Sequence, residues 1–302
     1  MESTGKMSSP TAIGPAEVKE RGFRRSWSRR QALGRAGAHV LLLTMGLLFF
    51  LPFFWLVSTS LKELKQVFTQ PPIWIPHPLR WQNYPEALSY FPFFLQLGNT
   101  LTIAISAVIL TLVSSTLVAY SFSRLKWPGR DPLFFLMLST MMLPYQVTMI
   151  PLFVTFRQLG WVNTLLPLIV PHAFGVPFFI FMLRQFFLGL PRDLDDAATI
   201  DGCSEFGILW RIILPLSRAA LATVALFQFL GSWNDFLGPL IYLNDPSKYT
   251  LSLGIQVFIS TVGVQWGWMM AVTTVLTVPV VILFFFTQRT FIQGIALTGI
   301  KA

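Results

Sequence analysis

The chain has 302 residues, of which 54% are hydrophobic and only 12% charged. Soluble domains carry about 25% charged residues, so composition excludes a disordered chain or an ordinary soluble enzyme and leaves an integral membrane protein. The net charge is +9, and the single cysteine, Cys203, excludes an intrachain disulfide; with three histidines it offers little for a metal site.

Residues 1–38 form a basic tail whose start is rich in Ser, Thr, Gly and Pro and reads as partly disordered. It has no early apolar core, so the apolar run that follows reads as an uncleaved first span and not as a removed signal peptide. A helix needs about 20 mostly apolar residues to cross a bilayer. Six segments qualify, at 39–61, 98–122, 132–156, 164–183, 219–243 and 267–287, within a membrane body of 39–302. Seventeen basic residues fall on the tails and on the 123–131 and 184–218 connections; only Lys62, Lys65, Arg80, Arg157 and Lys248 fall on the other side. This asymmetry predicts that both termini are cytoplasmic. It also accounts for the positive charge without nucleic acid, and the Arg-rich stretch 21–35 reads as a topology anchor that can meet anionic lipid headgroups.

The first outer loop, 62–97, carries Pro71-Pro72-Ile73-Trp74-Ile75-Pro76, a stiff extended segment suited to a structured cap or a ligand contact. Proline recurs inside the third, fourth and sixth segments, at Pro144, Pro151, Pro167, Pro171, Pro177 and Pro279. Such breaks are tolerated where neighbours or a water-filled cavity satisfy the backbone. His172, between Pro171 and Ala173, reads as a hydrogen-bonded packing histidine.

The connection 184–218 differs from the others. Pro191 suits a first helical turn, and Asp193, Asp195 and Asp196 suit the positive end of the helix dipole. Leu194, Ala197, Ala198 and Asp201 share a face, Gly202 stands where a left-handed residue ends the helix, and Ser204 can cap a second helix beginning with Glu205. Phe206, Leu209, Trp210 and Ile213 repeat the spacing before Pro215 redirects the chain. Cys203 is a small residue in the turn. The result is a helix–Gly–helix hairpin that either packs on its own spans or docks a cytoplasmic partner.

Here the chain resembles a known family. Permease subunits of binding-protein-dependent ABC importers carry a loop written E-A-A-x3-G-x9-I-x-L-P. This sequence has Asp196-Ala197-Ala198, three residues, Gly202, nine residues, then Ile212-Ile213-Leu214-Pro215, with every spacing in agreement. Leu143-Pro144-Tyr145-Gln146, Asp201-Gly202-Cys203-Ser204, Trp233-Asn234-Asp235-Phe236-Leu237 and Phe291-Ile292-Gln293-Gly294 are similar to the carbohydrate branch, the maltose-type second permease. The resemblance runs from about residue 53 to 301. It implies an all-α integral membrane protein with six transmembrane helices, the type I importer permease fold, in a bacterial or archaeal inner membrane. It also implies a second homologous permease, an ATPase dimer and an extracytoplasmic solute-binding protein as partners.

In that family the loop is a coupling helix seated on the ATPase. The resemblance makes Asp196 stand for the usual Glu, one methylene shorter, and Ala197 and Ala198 the close-contact face. Gly202 becomes the turn, Ile212, Leu214 and Pro215 the return to the fifth span, and 294–302 a tail near the ATPase. No G-x-x-x-x-G-K-[ST] is present, so ATP and Mg are expected on the partner ATPase, with no cofactor on this chain.

In the fifth segment Gln228, Ser232 and Asp235 are spaced to share one helix face, with Trp233 and Asn234 adjacent and Gly231 and Gly238 nearby. They line a solute path or make interhelical hydrogen bonds beside close-packed glycines. The expected function is import of a sugar or oligosaccharide, with glycerol-3-phosphate the alternative solute. A self-contained secondary transporter should show inverted repeats or paired intramembrane charges, and neither is apparent. An intramembrane enzyme would need a nucleophile–base or metal cluster that the residues do not supply.

Overall fold

The computed structural model describes residues 29–260 and 263–299, with side chains over 34–259 and 264–288. The expectations for residues 1–28 and for the side chains of 294–302 lie outside these. The chain divides into two units, 1–52 and 53–302. Helix α1 runs Arg29–Ser60 with Pro52 inside it, and its apolar side chains from Val40 to Leu51 are exposed, as lipid contact requires.

Short helices α2 (Leu64–Val67) and α3 (Asn83–Tyr90) follow in the 62–97 loop. Helix α4, Phe93–Ser123, is the central strut at about 46 Å. Its outward stripe is apolar: Ile105, Ile109, Val113 and Leu117 are all exposed. Its inward stripe is small or polar: Ala104, Ala107, Thr111, Ser115 and Ala119 are all buried. Lipid is as apolar as leucine, so close packing of small residues, not hydrophobicity, joins helices here.

The third expected span, whose internal prolines favour a break, is two helices, α5 (Arg130–Thr140) and α6 (Tyr145–Gln158), bent by 96°. Pro144, extended at φ −62°, ψ 141°, starts α6 and ends the run of α5. The fourth is α7 (Leu166–Ile169), a 3-10 turn Val170–Phe174 and α8 (Pro177–Leu188), broken at Gly175, φ +86°. Next come α9 (Asp193–Ile200), α10 (Glu205–Ile208), a π-turn Leu209–Ile213 and α11 (Leu214–Leu216). The fifth expected span is α12 (Arg218–Trp233), a break at 234–236, then α13 (Leu237–Tyr242). α12 makes a 79° bend with the helical run before it. After α14 (Leu251–Gly254) a two-residue antiparallel ladder pairs Ile259–Ser260 with Gly263–Val264, and α15 runs Trp266–Gly299.

Among the described residues, four helical stretches are long and apolar enough to cross a membrane, or up to six if each bent pair counts as one. α4 packs against α8 and α12, and α12 against α15. At the start of α4, Thr100 accepts from Leu251 N (2.9 Å), and Gln96 fills space that any side chain at Gly254 would occupy. The Pro/Trp segment of the outer loop is folded onto the end of α1. Trp74 lies 5.2 Å from Trp55 and 6.4 Å from Phe54, ring to ring, and its carbonyl accepts from Ser58 Oγ. Beneath it Asn83 donates to Ser60 O (2.8 Å) and Lys62 O (2.9 Å).

Candidate functional site

Two regions gather the polar side chains. The first is the 184–218 hairpin. α9 ends in the paired hydrogen bonds of a left-handed C-cap: Gly202 N to Thr199 O (3.0 Å) and Cys203 N to Ala198 O (2.9 Å), with Gly202 at φ +76°. Ser204 then caps α10, its Oγ accepting from Gly207 N at 3.2 Å. Cys203 packs as a half-buried small side chain.

Two stripes read from spacing divide between the two sides of the hairpin. Ala198 is buried against the bundle, whereas Leu194, Ala197 and Asp201 are exposed. Leu209 and Ile213 are buried, whereas Phe206 and Trp210 are exposed and stacked 6.3 Å apart. The π-turn inserts an extra residue and rotates one pair away from the other. Ala198 is therefore turned inward, whereas Ala197 is exposed. Asp196 and Glu205 are exposed, while Ile212 and Leu214 are half-buried and Pro215 is exposed.

The hairpin is tied to α4 through Tyr120 and Arg124, which the sequence did not single out. Arg124 Nη1 donates to Asp195 Oδ2 at 2.9 Å, with side chains 3% and 17% exposed. Its other amine donates to Phe187 O and, at 3.0 Å, to Leu190 O. Tyr120 Oη donates to Glu205 Oε2 (2.8 Å) and Glu205 O (3.1 Å).

The second region is a cavity of about 470 Å³ between α4, α6, α7, α12 and α13. Its polar lining is Tyr145, His172, Gln228, Ser232, Asp235 and Tyr242; Phe156 and Pro171 are among its apolar walls, and no Lys or Arg lines it. Irregular backbone borders it at Pro171-His172, in the 3-10 turn, and at Asp235, after the end of α12.

Of the five fifth-segment residues, Gln228, Ser232 and Asp235 line the cavity. Gln228 Nε2 donates to Ser232 Oγ at 2.9 Å. Asp235 does not continue their helix face: α12 ends at Trp233, and Asp235 sits in the break, its Oδ1 accepting from Gly238 N at 3.1 Å. Trp233 is not in the cavity. It is buried in another cluster, stacked on Phe229 at 5.4 Å. Asn234 turns back to donate to Leu230 O (2.9 Å). The two glycines differ. A Cβ at Gly231 would meet nothing within 4 Å, whereas one at Gly238 would press on the Asp235 carboxylate and come 2.8 Å from Leu168. His172 makes a packing contact, Nδ1 to Ile169 O at 3.3 Å, but also lines the cavity, which its sequence context does not reveal.

Lys62, Lys65, Arg80 and Lys248 do not line the cavity, nor does Arg157, which is exposed beside the lining Phe156. Lys65 pairs with Glu63 at 2.7 Å and holds that carboxyl below its usual range. Arg80 pairs with Glu86 at 3.1 Å. Lys248 Nζ donates to Asn163 O at 2.8 Å. Lys62 lies 3.7 Å from the Trp55 ring, and burial pushes its ammonium pKa down.

Residues 115–296, more than half of the chain, match the family model described as binding-protein-dependent transport system inner membrane component. The chain belongs to that family. This inner membrane component is 40% identical over 218 residues to the arabinooligosaccharides transport system permease protein AraQ of Halalkalibacterium halodurans, covering 72% of this chain and 77% of the relative. The AraQ of Bacillus subtilis is 35% identical over 264 residues, 85% of this chain and 92% of the relative. A crystal structure of a bacterial ABC transporter involved in the import of the acidic polysaccharide alginate superposes with a TM-score of 0.76 at 24% identity, covering 88% of this chain and 99% of that one. That likeness shows the fold, an all-α ABC-importer permease.

Proposed function

We propose that this inner membrane component forms half of the translocation path of an ATP-driven importer for a neutral sugar or oligosaccharide. It works with a second permease, an ATPase dimer that holds ATP and Mg, and an extracytoplasmic solute-binding protein. Both termini are cytoplasmic in this reading. The exposed side of the hairpin, with Asp196, Ala197 and Asp201, seats on the ATPase, while Phe206 and Trp210 border an apolar pocket beside Val113 and Leu117 of α4. Ala198, Gly202, Ser204, Ile212, Leu214 and Pro215 hold its shape.

The observation that carries the solute class is the cavity. A carboxylate, an amide, hydroxyls and aromatic rings suit a polyol with apolar ring faces, and no lining cation offers to bind a phosphate. The outer cations Lys65, Arg80 and Lys248 are held by Glu63, Glu86 and Asn163. Glycerol-3-phosphate is therefore the weaker reading. The names of the AraQ relatives point the same way.

The test is co-purification in mild detergent followed by uptake in proteoliposomes. An ATPase and a second permease in fixed ratio, with ATP-dependent uptake of neutral oligosaccharide competed by neutral sugars and not by glycerol-3-phosphate, is the expected result. Recovery alone with ATP-independent uptake, or preference for the phosphate, overturns it.

A further inference from the structure

We infer that Arg124 and Tyr120 are positioning residues that make the hairpin one rigid body with α4 and α8, so that movement of the hairpin reaches the cavity through α4. This rests on the coupling role proposed above.

The hairpin leaves the bundle by one covalent path and is held by another, non-covalent one. Its covalent exit is compliant: a π-turn, Pro215 and a 79° bend precede α12. Its non-covalent hold is not. Arg124 terminates α4, its own N–H donating to Tyr120 O at 2.9 Å. Its guanidinium meets the last carbonyls of α8, at Phe187 and Leu190, where a cation is favoured by the helix dipole. The same group pairs with Asp195 in the first turn of α9. One turn earlier on α4, Tyr120 holds Glu205 at the start of α10. The last turn of α4 therefore grips both arms of the hairpin, one on each side of Gly202.

The grip is stiff because separation would leave a buried charge unpaired. Arg124 Nε and Asp195 Oδ1 have no hydrogen-bond partner, so the single Nη1–Oδ2 bond carries the junction with α9.

α4 in turn carries one wall of the cavity. Ser114 Oγ donates to His172 O (2.9 Å), and Ser115 Oγ accepts from Val176 N (3.2 Å). A displacement of α4 therefore carries the His172 wall, and it reaches the Gln228 and Ser232 wall through α12, which packs on α4 as well.

The experiment reads solute uptake and ATP hydrolysis together in proteoliposomes holding the assembled importer and its binding protein. Asp195→Asn should lower uptake per ATP about tenfold, inside the usual range of coupling between sites. Tyr120→Phe should lower it by about half as much on a logarithmic scale, and Asp195→Glu should restore most of it. A merely structural role would lower uptake and hydrolysis in proportion to the assembled complex and leave the ratio unchanged. Wild-type uptake per ATP in both Asp195→Asn and Tyr120→Phe overturns the inference; if Asp195→Asn does not assemble, Tyr120→Phe alone decides. Gly202→Val separates the two readings. If it abolishes uptake while the α4 variants keep their ratio, only the rigid grip fails. If it too transports normally, the coupling role itself fails.

Discussion

Gly202 shows how much one backbone angle can decide. Its φ of +76° lies where a β-carbon costs about 1–2 kcal/mol. A Cβ there would meet nothing within 4 Å, so any penalty for a side chain comes from the backbone, not from crowding. Gly202→Val is expected to reorient the hairpin and abolish uptake while membrane insertion persists; Gly202→Asn, which tolerates this region, should keep most of it. Transport assays on the two side by side check this. Asn83 makes a second residue-scale case, since its amide satisfies two backbone carbonyls that end α1. Asn83→Ala should destabilise the outer cap by about 1–3 kcal/mol, seen as a lower melting midpoint in detergent. Both kinds of residue differ in legibility. Gly202 and Ser204 were readable because caps are local chemistry. Arg124 was not, because it acts on Asp195, 71 positions away, and nothing near it in sequence announces the partner.

Elements were harder to read than residues. α4 matched its apolar run because no proline or glycine interrupts its middle. α12 did not: the expected span runs on through Asn234-Asp235-Phe236 to residue 243, yet the helix stops at Trp233. Trp233 stacks on Phe229, and Asp235 takes the Gly238 amide, so side-chain contacts beyond the helix decide its end. The stripes of the hairpin divided for a similar reason, since a π-turn changes the period that spacing arguments assume. At this scale Ser204→Ala removes the cap of α10 and should cost about 1 kcal/mol. Ser204→Asp, which can accept the same Gly207 N–H, should cost little. Thermal melts of the purified complex, with the wild-type protein as reference, distinguish them.

For the whole molecule, breaks in helices and the cavity are one fact. The start of α6 after the 96° bend, the 3-10 turn at Pro171-His172 and the break after Trp233 border the space that Gln228, Ser232, Asp235 and His172 share. Irregular backbone at membrane depth is tolerated where it lines such a space. Gly231 faces room and not a neighbour, so size at that position tests the path directly. Gly231→Ala should leave uptake near wild type. Gly231→Phe, filling much of the cavity, should cut uptake at least about tenfold while stimulation of ATP hydrolysis by the binding protein persists. Equal uptake by both variants would place the solute path elsewhere.

The separation of Arg124 from its partner also bears on how the chain is made. At about 5–20 residues per second, a ribosome needs roughly 4–14 s to go from codon 124 to codon 195. Throughout that interval the guanidinium stands at the end of a finished helix without its carboxylate, and its flexible stem lets it reach the headgroups for hydration. A nascent chain that stalls before Asp195 thus displays an uncompensated cation at the bilayer edge. One that completes the hairpin buries it against Asp195.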